Sequence, residues 1–313
     1  MKNKLSINTR NKISVIEPMF SKNLILKEKI LKHFKKVNFN YKKLNENQLI
    51  NKINDAEGIV LGLQPLTKKV IDKSKNLKIV AKFGVGIDNI DLNECKKKKI
   101  LVRRAVGANA ISVAEVVISN SINLIRNINQ NYNKLKKGLW EKSIGHELYK
   151  KKFGIIGLGK VGKEVAKRLV PFKCKIYCND IKTYKKFCKD KNIKIVTLEK
   201  ILRTCHIISF HTPLTKVTKN LLNAKNINLL MNNSIVINTS RGPVVDLKNI
   251  MKTVKKKNIQ LYLDVFPEEP FKDKKFLNRK NDIYTPHICG TSEESKMRIG
   301  LKNIKALKQF FAS

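Results

Sequence analysis

Acidic residues are scarce in this chain: 24 aspartates and glutamates stand against 66 lysines and arginines, a formal net charge of +42. Such an excess attracts polyanions weakly and with strong salt dependence. It does not mark a nucleic-acid binder. Only nine of the basic residues are arginine, the lysines are scattered, and runs such as Lys96–Lys99 and Lys255–Lys257 stand beside predicted helix ends. No basic stripe interleaved with aromatics occurs, so no specific nucleic-acid partner is expected. The joint abundance of lysine, asparagine and isoleucine points to a coding bias toward A/T-rich codons.

Long apolar runs are also missing. Nothing approaches the roughly 18 residues of a membrane span, and the N-terminal ten residues lack the apolar stretch of a signal peptide. A cytoplasmic protein with no membrane partner is expected. Cysteines are few and unpatterned: Cys95, Cys174, Cys178, Cys188, Cys205 and Cys289 form no C-x-x-C. Cys174 and Cys178 share a strand face but stand too far apart along it to bridge, so free thiols are expected. Cys205, His206 and His211 match no ligand spacing, and no metal is expected. The one tryptophan, Trp140, is expected to pack rather than to bind a ligand. What the chain does have is 42% apolar residues spread over 313 positions, enough for two domains with separate cores.

The organising stretch runs from Phe153 to Asp180. Phe153, Ile155 and Ile156 predict a short strand. Gly157, Gly159 and Gly162 form G-x-G-x-x-G where that strand gives way to a helix, and Val161, Val165, Ala166 and Leu169 recur at helical spacing. Pro171 ends the helix, and a second strand begins at Ile176 and Tyr177. Gly157 permits the tight turn, Gly159 lets backbone approach a pyrophosphate, and Gly162 lets helix and strand pack closely. The free N–H groups at the helix start, around Lys160 and Val161, then face the phosphates. Asp180 closes the second strand eighteen residues beyond Gly162, where a carboxylate accepts from a ribose 2′-OH and repels a 2′-phosphate. NAD rather than NADP is expected.

Elsewhere strands and helices alternate, which implies parallel sheets. Residues 1–12 read as a polar arm. Strands are predicted at Ile13–Ile16 (ended by Pro18), Val37–Tyr41, Glu57–Leu63, Leu77–Phe83 and Ile100–Arg103, with helices at Asn23–Phe34 and near Thr67–Lys73, the latter capped by Thr67. A long helix over Asn109–Ile128 continues as Asn131–Leu139. Further strands are predicted at Ile193–Val196, Ile207–Phe210, Ser234–Asn238, Gln260–Leu263 and Asn281–Tyr284. Helices are predicted near Leu198–Leu202, Ala224–Leu230 and Asp246–Val254, with a closing helix over Ser292–Phe311.

Polar clusters follow several predicted strands, at the carboxyl end of a sheet, where open α/β folds bind ligands. Gly84 and Gly86 leave backbone N–H groups free to face a ligand. Arg241, in Asn-Thr-Ser-Arg-Gly-Pro, offers a planar fork suited to a substrate carboxylate. Asp264, Glu268 and Glu269 cluster between prolines, and His287 directly follows Pro286.

These residues carry a resemblance. Phe83-Gly-Val-Gly-Ile-Asp-Asn-Ile-Asp91, Ala108-Asn-Ala-Ile-Ser-Val-Ala-Glu115, the glycine fingerprint, His211-Thr-Pro-Leu-Thr215, Asn238-Thr-Ser-Arg-Gly242, Asp264-Val-Phe-Pro-Glu-Glu-Pro270 and Thr285-Pro-His-Ile288 resemble the D-2-hydroxyacid dehydrogenases, most of all their phosphoglycerate dehydrogenase branch. The resemblance runs from about Leu61 to the C-terminus. It implies an α/β protein of two Rossmann-like, doubly wound parallel-sheet domains with an interdomain cleft that closes by hinge motion. Residues 101–283 would form the NAD domain, and 1–100 with 284–313 the substrate domain. It implies an enzyme that moves a hydride between NAD(H) and C2 of a 2-hydroxy or 2-oxo acid. The first expectation is 3-phosphoglycerate and serine biosynthesis; the alternative is a glyoxylate or hydroxypyruvate reductase, and the reading from another class is a non-catalytic NAD-sensing regulator. Arg241 would bind the carboxylate and polarise the carbonyl. His287 would be the general acid/base, with Glu269 raising its pKa by favouring imidazolium. Asp264 would face the nicotinamide carboxamide; His211, Thr212, Pro213, Thr239 and Ser240 would join the glycine loop around the cofactor; and Val85, Gly86 and Asn109 would hold the carboxylate. A homodimer through the 109–139 helices is implied.

The chain also departs from the family. Val60-Leu-Gly-Leu-Gln-Pro-Leu-Thr67 lacks the arginine that phosphoglycerate members often place there for the phosphate; Lys68 and Lys69 are substitutes only as flexible point charges. Cys289 replaces a small glycine-like residue, which predicts oxidation-sensitive activity. His206 stands where an acid is usual, with no evident role. With nothing following Ser313, feedback by serine through a C-terminal domain is not expected.

Overall fold

The computed structural model describes residues 11–312, so the expected polar arm lies outside the described residues save for its last two positions. The chain forms two compact units, residues 1–109 with 291–313, and residues 110–290.

In the first unit five parallel strands, β1 (Lys12–Val15), β2 (Lys36–Phe39), β3 (Gly58–Leu61), β4 (Ile79–Lys82) and β5 (Leu101–Arg104), lie in the order β2-β1-β3-β4-β5. β3 and β4 are buried along their whole length, so β3 reads as an unbroken apolar run and β4 as one closed by the buried Lys82, not as alternating strands. Helices α1 (Pro18–Lys22), α2 (Leu24–Leu31), α3 (Glu46–Ile53), α4 (Lys68–Lys73) and α5 (Leu92–Lys97) fill the crossovers. Ile16, Leu49, Ile53, Leu61 and Ile71 belong to one core cluster. Val15, Phe20, Ile30, Phe34 and Leu307 belong to another, so the C-terminal helix Glu293–Ala312 packs with this unit. Each such fully buried side chain contributes roughly 1.5–3 kcal/mol. Thr67 caps α4 as expected, accepting from the Val70 N–H. Two helices depart from the sequence reading. Pro18 opens α1 at its first position instead of only ending a strand, its missing N–H costing nothing there. α3 was not predicted: a reciprocal Asn45–Gln48 capping box starts it, but its apolar stripe is short.

The second unit begins with α6 (Ala110–Ile125) and α7 (Ile128–Leu135), broken at Asn127, whose φ of 53° is left-handed. The expected single run therefore turns three to four residues early. Seven parallel strands follow: β6 (Lys152–Ile156), β7 (Lys175–Asn179), β8 (Lys194–Ile195), β9 (Ile207–Phe210), β10 (Ile235–Asn238), β11 (Gln260–Leu263) and β12 (Ile283–Tyr284). Their order, β12-β11-β10-β9-β6-β7-β8, reverses at β6, which pairs with β7 on one side and β9 on the other. The carboxyl end of β6 is thus the switch point where such sheets bind ligands. Helices α8 (Lys160–Leu169), α9 (Lys185–Asp190), α10 (Leu198–Thr204), α11 (Leu247–Lys256) and α12 (Lys274–Leu277) connect them. α11 shows where the lysine goes: Leu247, Ile250 and Val254 are buried, while Lys248, Lys252, Lys255 and Lys256 are exposed.

Three further differences have local causes. The unit breaks fall beyond residues 101 and 284 because β5 is hydrogen-bonded into the first sheet and β12 into the second. The helix expected over 224–230 is only a three-residue turn, Ile227–Leu229. Trp140 is not a packing residue: it is 83% exposed in the irregular segment after α7.

Candidate active site

At the end of β6 the chain turns through Gly157, at φ 95°, where an L side chain is strained and a Cβ would also crowd the His211 carbonyl. Gly162 packs so tightly that a Cβ there would overlap the Gly157 carbonyl oxygen. Over Gly159, by contrast, a Cβ would meet nothing within 4 Å, and the cap makes no side-chain bond to the helix start. The first N–H groups of α8, at the exposed Lys160 and half-buried Val161, therefore face open space. The Asp180 carboxylate stands at the end of β7 and accepts from Leu158 N at 2.6 Å and Lys182 N at 2.8 Å. Beside the loop, the Thr212 hydroxyl is buried without a partner. An open phosphate cradle, an acid at the second strand end and an orphaned hydroxyl fit a dinucleotide.

His211 lies next to it, its Nε2 2.9 Å from the buried Ser209 hydroxyl and its Nδ1 3.5 Å from that of Thr239. Burial pulls this imidazole down to about 3, so it is neutral. Pro213 is exposed. Ser240 is turned inward, with N–H and hydroxyl both donating to Asn238 Oδ1, while Asn238 Nδ2 donates to the Arg241 carbonyl at 2.9 Å. That turn fixes the backbone at the end of β10, and Arg241 Nη1 donates to the Ser240 carbonyl at 2.7 Å.

The next strand end holds Asp264, the residue expected to face the nicotinamide carboxamide, and its side chain is turned into the protein. Asp264 is 1% exposed. Oδ1 accepts from Thr285 Oγ1 at 2.6 Å and Ile288 N at 2.7 Å, and Oδ2 from Cys289 N at 3.0 Å. Its carbonyl also accepts from His287 N at 2.9 Å. Asp264 is the anchor of the histidine loop. His287 takes a φ of 54°, uncommon for a residue with a Cβ, and these bonds hold it there. Its Nδ1 lies 2.8 Å from Glu269 Oε2, with the two side chains 50% and 39% exposed. The sequence reading missed Tyr262, whose hydroxyl bridges Thr285 Oγ1 at 2.8 Å and Cys289 Sγ at 3.0 Å; nothing in an apolar strand flags an inward hydroxyl. Cys289 is 2% exposed and burial pushes its thiol up, so the expected oxidation sensitivity at this residue is not supported. His206 has a structural contact: its Nδ1 accepts from Lys152 N at 3.3 Å. Among the described residues no three His, Cys, Asp or Glu side chains gather as a metal site.

In the first unit, Val85 and Gly86 lie half-buried past the end of β4, and Asn109 half-buried past β5.

Comparison with known proteins agrees with this geometry. Residues 118–289 match the NAD binding domain of the D-isomer specific 2-hydroxyacid dehydrogenases. The chain is 34% identical over 271 residues to the hydroxypyruvate reductase of Thermotoga maritima, covering 84% of this chain and 88% of that one. It is 35% identical over 262 residues to the D-3-phosphoglycerate dehydrogenase of Methanocaldococcus jannaschii, covering 82% of this chain and 50% of that protein. Among solved structures, D-lactate dehydrogenase from Aquifex aeolicus, complexed with NAD and lactic acid, superposes with a TM-score of 0.81 at 28% identity, covering 96% and 95% of the two chains. A two-unit α/β protein with a glycine cradle and a paired histidine and glutamate is therefore matched in sequence as well as in shape, and the chain belongs to the D-isomer specific 2-hydroxyacid dehydrogenase family. It spans about half the length of the phosphoglycerate dehydrogenases it matches.

Proposed function

We propose that this protein is an NAD-dependent dehydrogenase of D-2-hydroxy acids, interconverting a 2-hydroxy acid and its 2-oxo acid. The observation that carries the reading is the 2.8 Å contact between His287 Nδ1, on the loop locked by Asp264, and Glu269 Oε2, on the loop one strand along from Arg241. Bound NAD supplies or accepts the hydride. The Gly157–Gly162 turn holds its phosphates and Asp180 its ribose hydroxyls, with Thr212 at the same rim. Glu269 orients His287 through Nδ1, leaving Nε2 to hold or deliver the proton at the C2 oxygen. The guanidinium of Arg241 binds the carboxylate and polarises the carbonyl; the backbone at Val85 and Gly86, with Asn109, is assigned to the same carboxylate.

The T. maritima relative is named a hydroxypyruvate reductase, and the missing arginine between Val60 and Thr67 favours that reading over 3-phosphoglycerate and serine biosynthesis. A cytoplasmic location belongs to the proposal; among the described residues no helix is long and apolar enough to cross a membrane. So does a homodimer, supported by the exposed apolar side chains of Ile128, Tyr132, Leu135, Trp140 and Ile144.

The test is NADH oxidation against a panel of 2-oxo acids. His287→Gln should lower kcat by at least ~100-fold with NADH binding retained, and Arg241→Ala should lower kcat/KM. NADH binding without turnover on any 2-oxo acid would leave the sensor reading instead.

A further inference from the structure

Tyr262 is 0% exposed, on a strand whose residues at 261 and 263 are leucines. A phenylalanine would serve the packing as well. The hydroxyl adds a buried polar group that must find partners. It has two, Thr285 Oγ1 at 2.8 Å and Cys289 Sγ at 3.0 Å. Strand geometry explains the meeting. Side chains alternate along β11, so Tyr262 and Asp264 point to one face and Leu261 and Leu263 to the other. Tyr262 pairs with Ile283, so the chain leaving β12 carries Thr285 past the strand end. Cys289 then returns to the core cluster that holds Tyr262, while both leucines belong to the opposite cluster.

Counting protons gives each bond its direction. The Thr285 hydroxyl has one proton, and it goes to Asp264 Oδ1 at 2.6 Å. The contact between Thr285 and Tyr262 therefore uses the tyrosine proton. The tyrosine oxygen is left to accept, and it accepts from the Cys289 thiol, where burial keeps the proton in place. The chain thus runs from Cys289 S–H through Tyr262 O–H and Thr285 O–H to the Asp264 carboxylate, each donor polarising the next. All four residues belong to the second unit. That carboxylate also receives Ile288 N and Cys289 N, so the residues tied to it flank His287 on both sides.

We infer that Tyr262 and Thr285 are positioning residues for proton transfer: the phenol hydroxyl orients the Thr285 hydroxyl, which fixes the Asp264 carboxylate and so holds His287 at its left-handed φ of 54°, where Nδ1 meets Glu269. The inference rests on the dehydrogenase reading above, in which His287 moves the proton. Both residues act through Asp264 and not on the substrate. A misplaced proton donor is felt in the transition state, whereas ground-state binding rests on Arg241 and the glycine turn. Loss of the chain therefore lowers kcat and spares KM.

The experiment measures kcat and KM by NADH oxidation with the 2-oxo acid that the wild type turns over fastest, and NADH affinity by fluorescence titration. The variants are Tyr262→Phe, Thr285→Val, Thr285→Ser and the double variant Tyr262→Phe with Thr285→Val. Tyr284→Phe is the control, since it removes a hydroxyl that donates to Asp282 at 2.6 Å, outside the chain. Tyr262→Phe should lower kcat ~3- to 10-fold, with KM and NADH affinity within ~2-fold of wild type. Thr285→Val should lose at least as much, and Thr285→Ser should recover most of it. The double variant should be no slower than Thr285→Val, because the tyrosine acts through the threonine. Tyr284→Phe should keep the wild-type kcat. A wild-type kcat in Tyr262→Phe, a loss that falls on KM or NADH affinity instead, or additive losses in the double variant would overturn the inference. If Tyr262→Phe does not fold, the Thr285 pair decides, and equal kcat in the serine and valine variants is the refuting result. A wild type that binds NADH and turns over no 2-oxo acid would instead remove the dehydrogenase reading; faster exchange of the Ile288 and Cys289 amides in Tyr262→Phe would then still show the hold on the loop.

Discussion

Replacing Asp264 by asparagine tests whether the histidine loop hangs on one buried carboxylate. The wild-type group accepts three bonds, from Thr285 Oγ1, Ile288 N and Cys289 N, at 2.6 to 3.0 Å. Asparagine keeps one acceptor oxygen and places an NH₂ where the other stood. If that NH₂ faces Cys289, the buried N–H loses its acceptor and meets another donor, which costs about 1–3 kcal/mol. The two bonds left on the oxygen lose the charge that shortened them, roughly half their strength. The sum is about 3 kcal/mol, concentrated on residues 285–289. The assay is amide exchange read residue by residue: the Ile288 and Cys289 amides should exchange at least ~10-fold faster, that factor corresponding to about 1.4 kcal/mol. Amides of β6 and β9, which share no partner with Asp264, should change less. Turnover should fall with the loosened loop, because the weakened side-chain bonds are to Thr285, Ile288 and Cys289, on both sides of His287. If exchange at Ile288 and Cys289 is unchanged, the anchor role is refuted, whatever happens to activity.

Gly162→Ala places a Cβ into the Gly157 carbonyl, so strand and helix must separate; a loss of about 1–3 kcal/mol in stability and at least tenfold weaker NADH binding are expected by urea unfolding and fluorescence titration, and wild-type values in both would disprove the close-packing account. His211 gives a pH signature. Burial lowers its imidazole from 6.5 to about 3, so below pH 6.5 the unfolded chain takes up a proton that the folded state does not, and stability falls as pH drops toward 3. The slope approaches ~1.4 kcal/mol per pH unit at most, His206 acts with the same sign, and the urea midpoint of His211→Asn should drop less between pH 7 and 5 than that of the wild type; equal drops would contradict a neutral buried imidazole. Lysine at both Trp140 and Ile144, which are 83% and 93% exposed, should shift sedimentation toward monomer without a change in thermal midpoint, and an unshifted dimer would place the interface elsewhere.

The parts of the site that could be read in sequence are those whose geometry is local. Gly157, Gly159 and Gly162 announce a turn and a helix start within six residues, because each glycine answers a backbone demand of its immediate neighbours. Strands β3, β4, β9 and β10 were legible as buried apolar runs, and the polar clusters after them marked the sheet's carboxyl end. The pairing of Glu269 with His287 came from the resemblance of their motifs, since the seventeen intervening residues carry no periodicity that would bring the two together. What stayed hidden depends on burial or on register. Asp264 looks like any acid after a strand until three donors are found closing over it. Tyr262 and Cys289 look apolar until their polar atoms meet.

Glu17 is the clearest case of information that composition and spacing do not carry. It lies far along the chain from Gly62 and Gln64, in a segment where the resemblance is weak, and only the β1–β3–β4 register makes them neighbours. The missing arginine was visible as a departure from the family, but a missing cation alone leaves open whether lysines such as Lys68 and Lys69 take its place. Both are paired at the surface, Lys68 with Asp72 at 2.6 Å and Lys69 with Glu46 at 2.9 Å. The space beside Gly62 is taken by the Glu17 carboxylate, which is why glycine stands at 62.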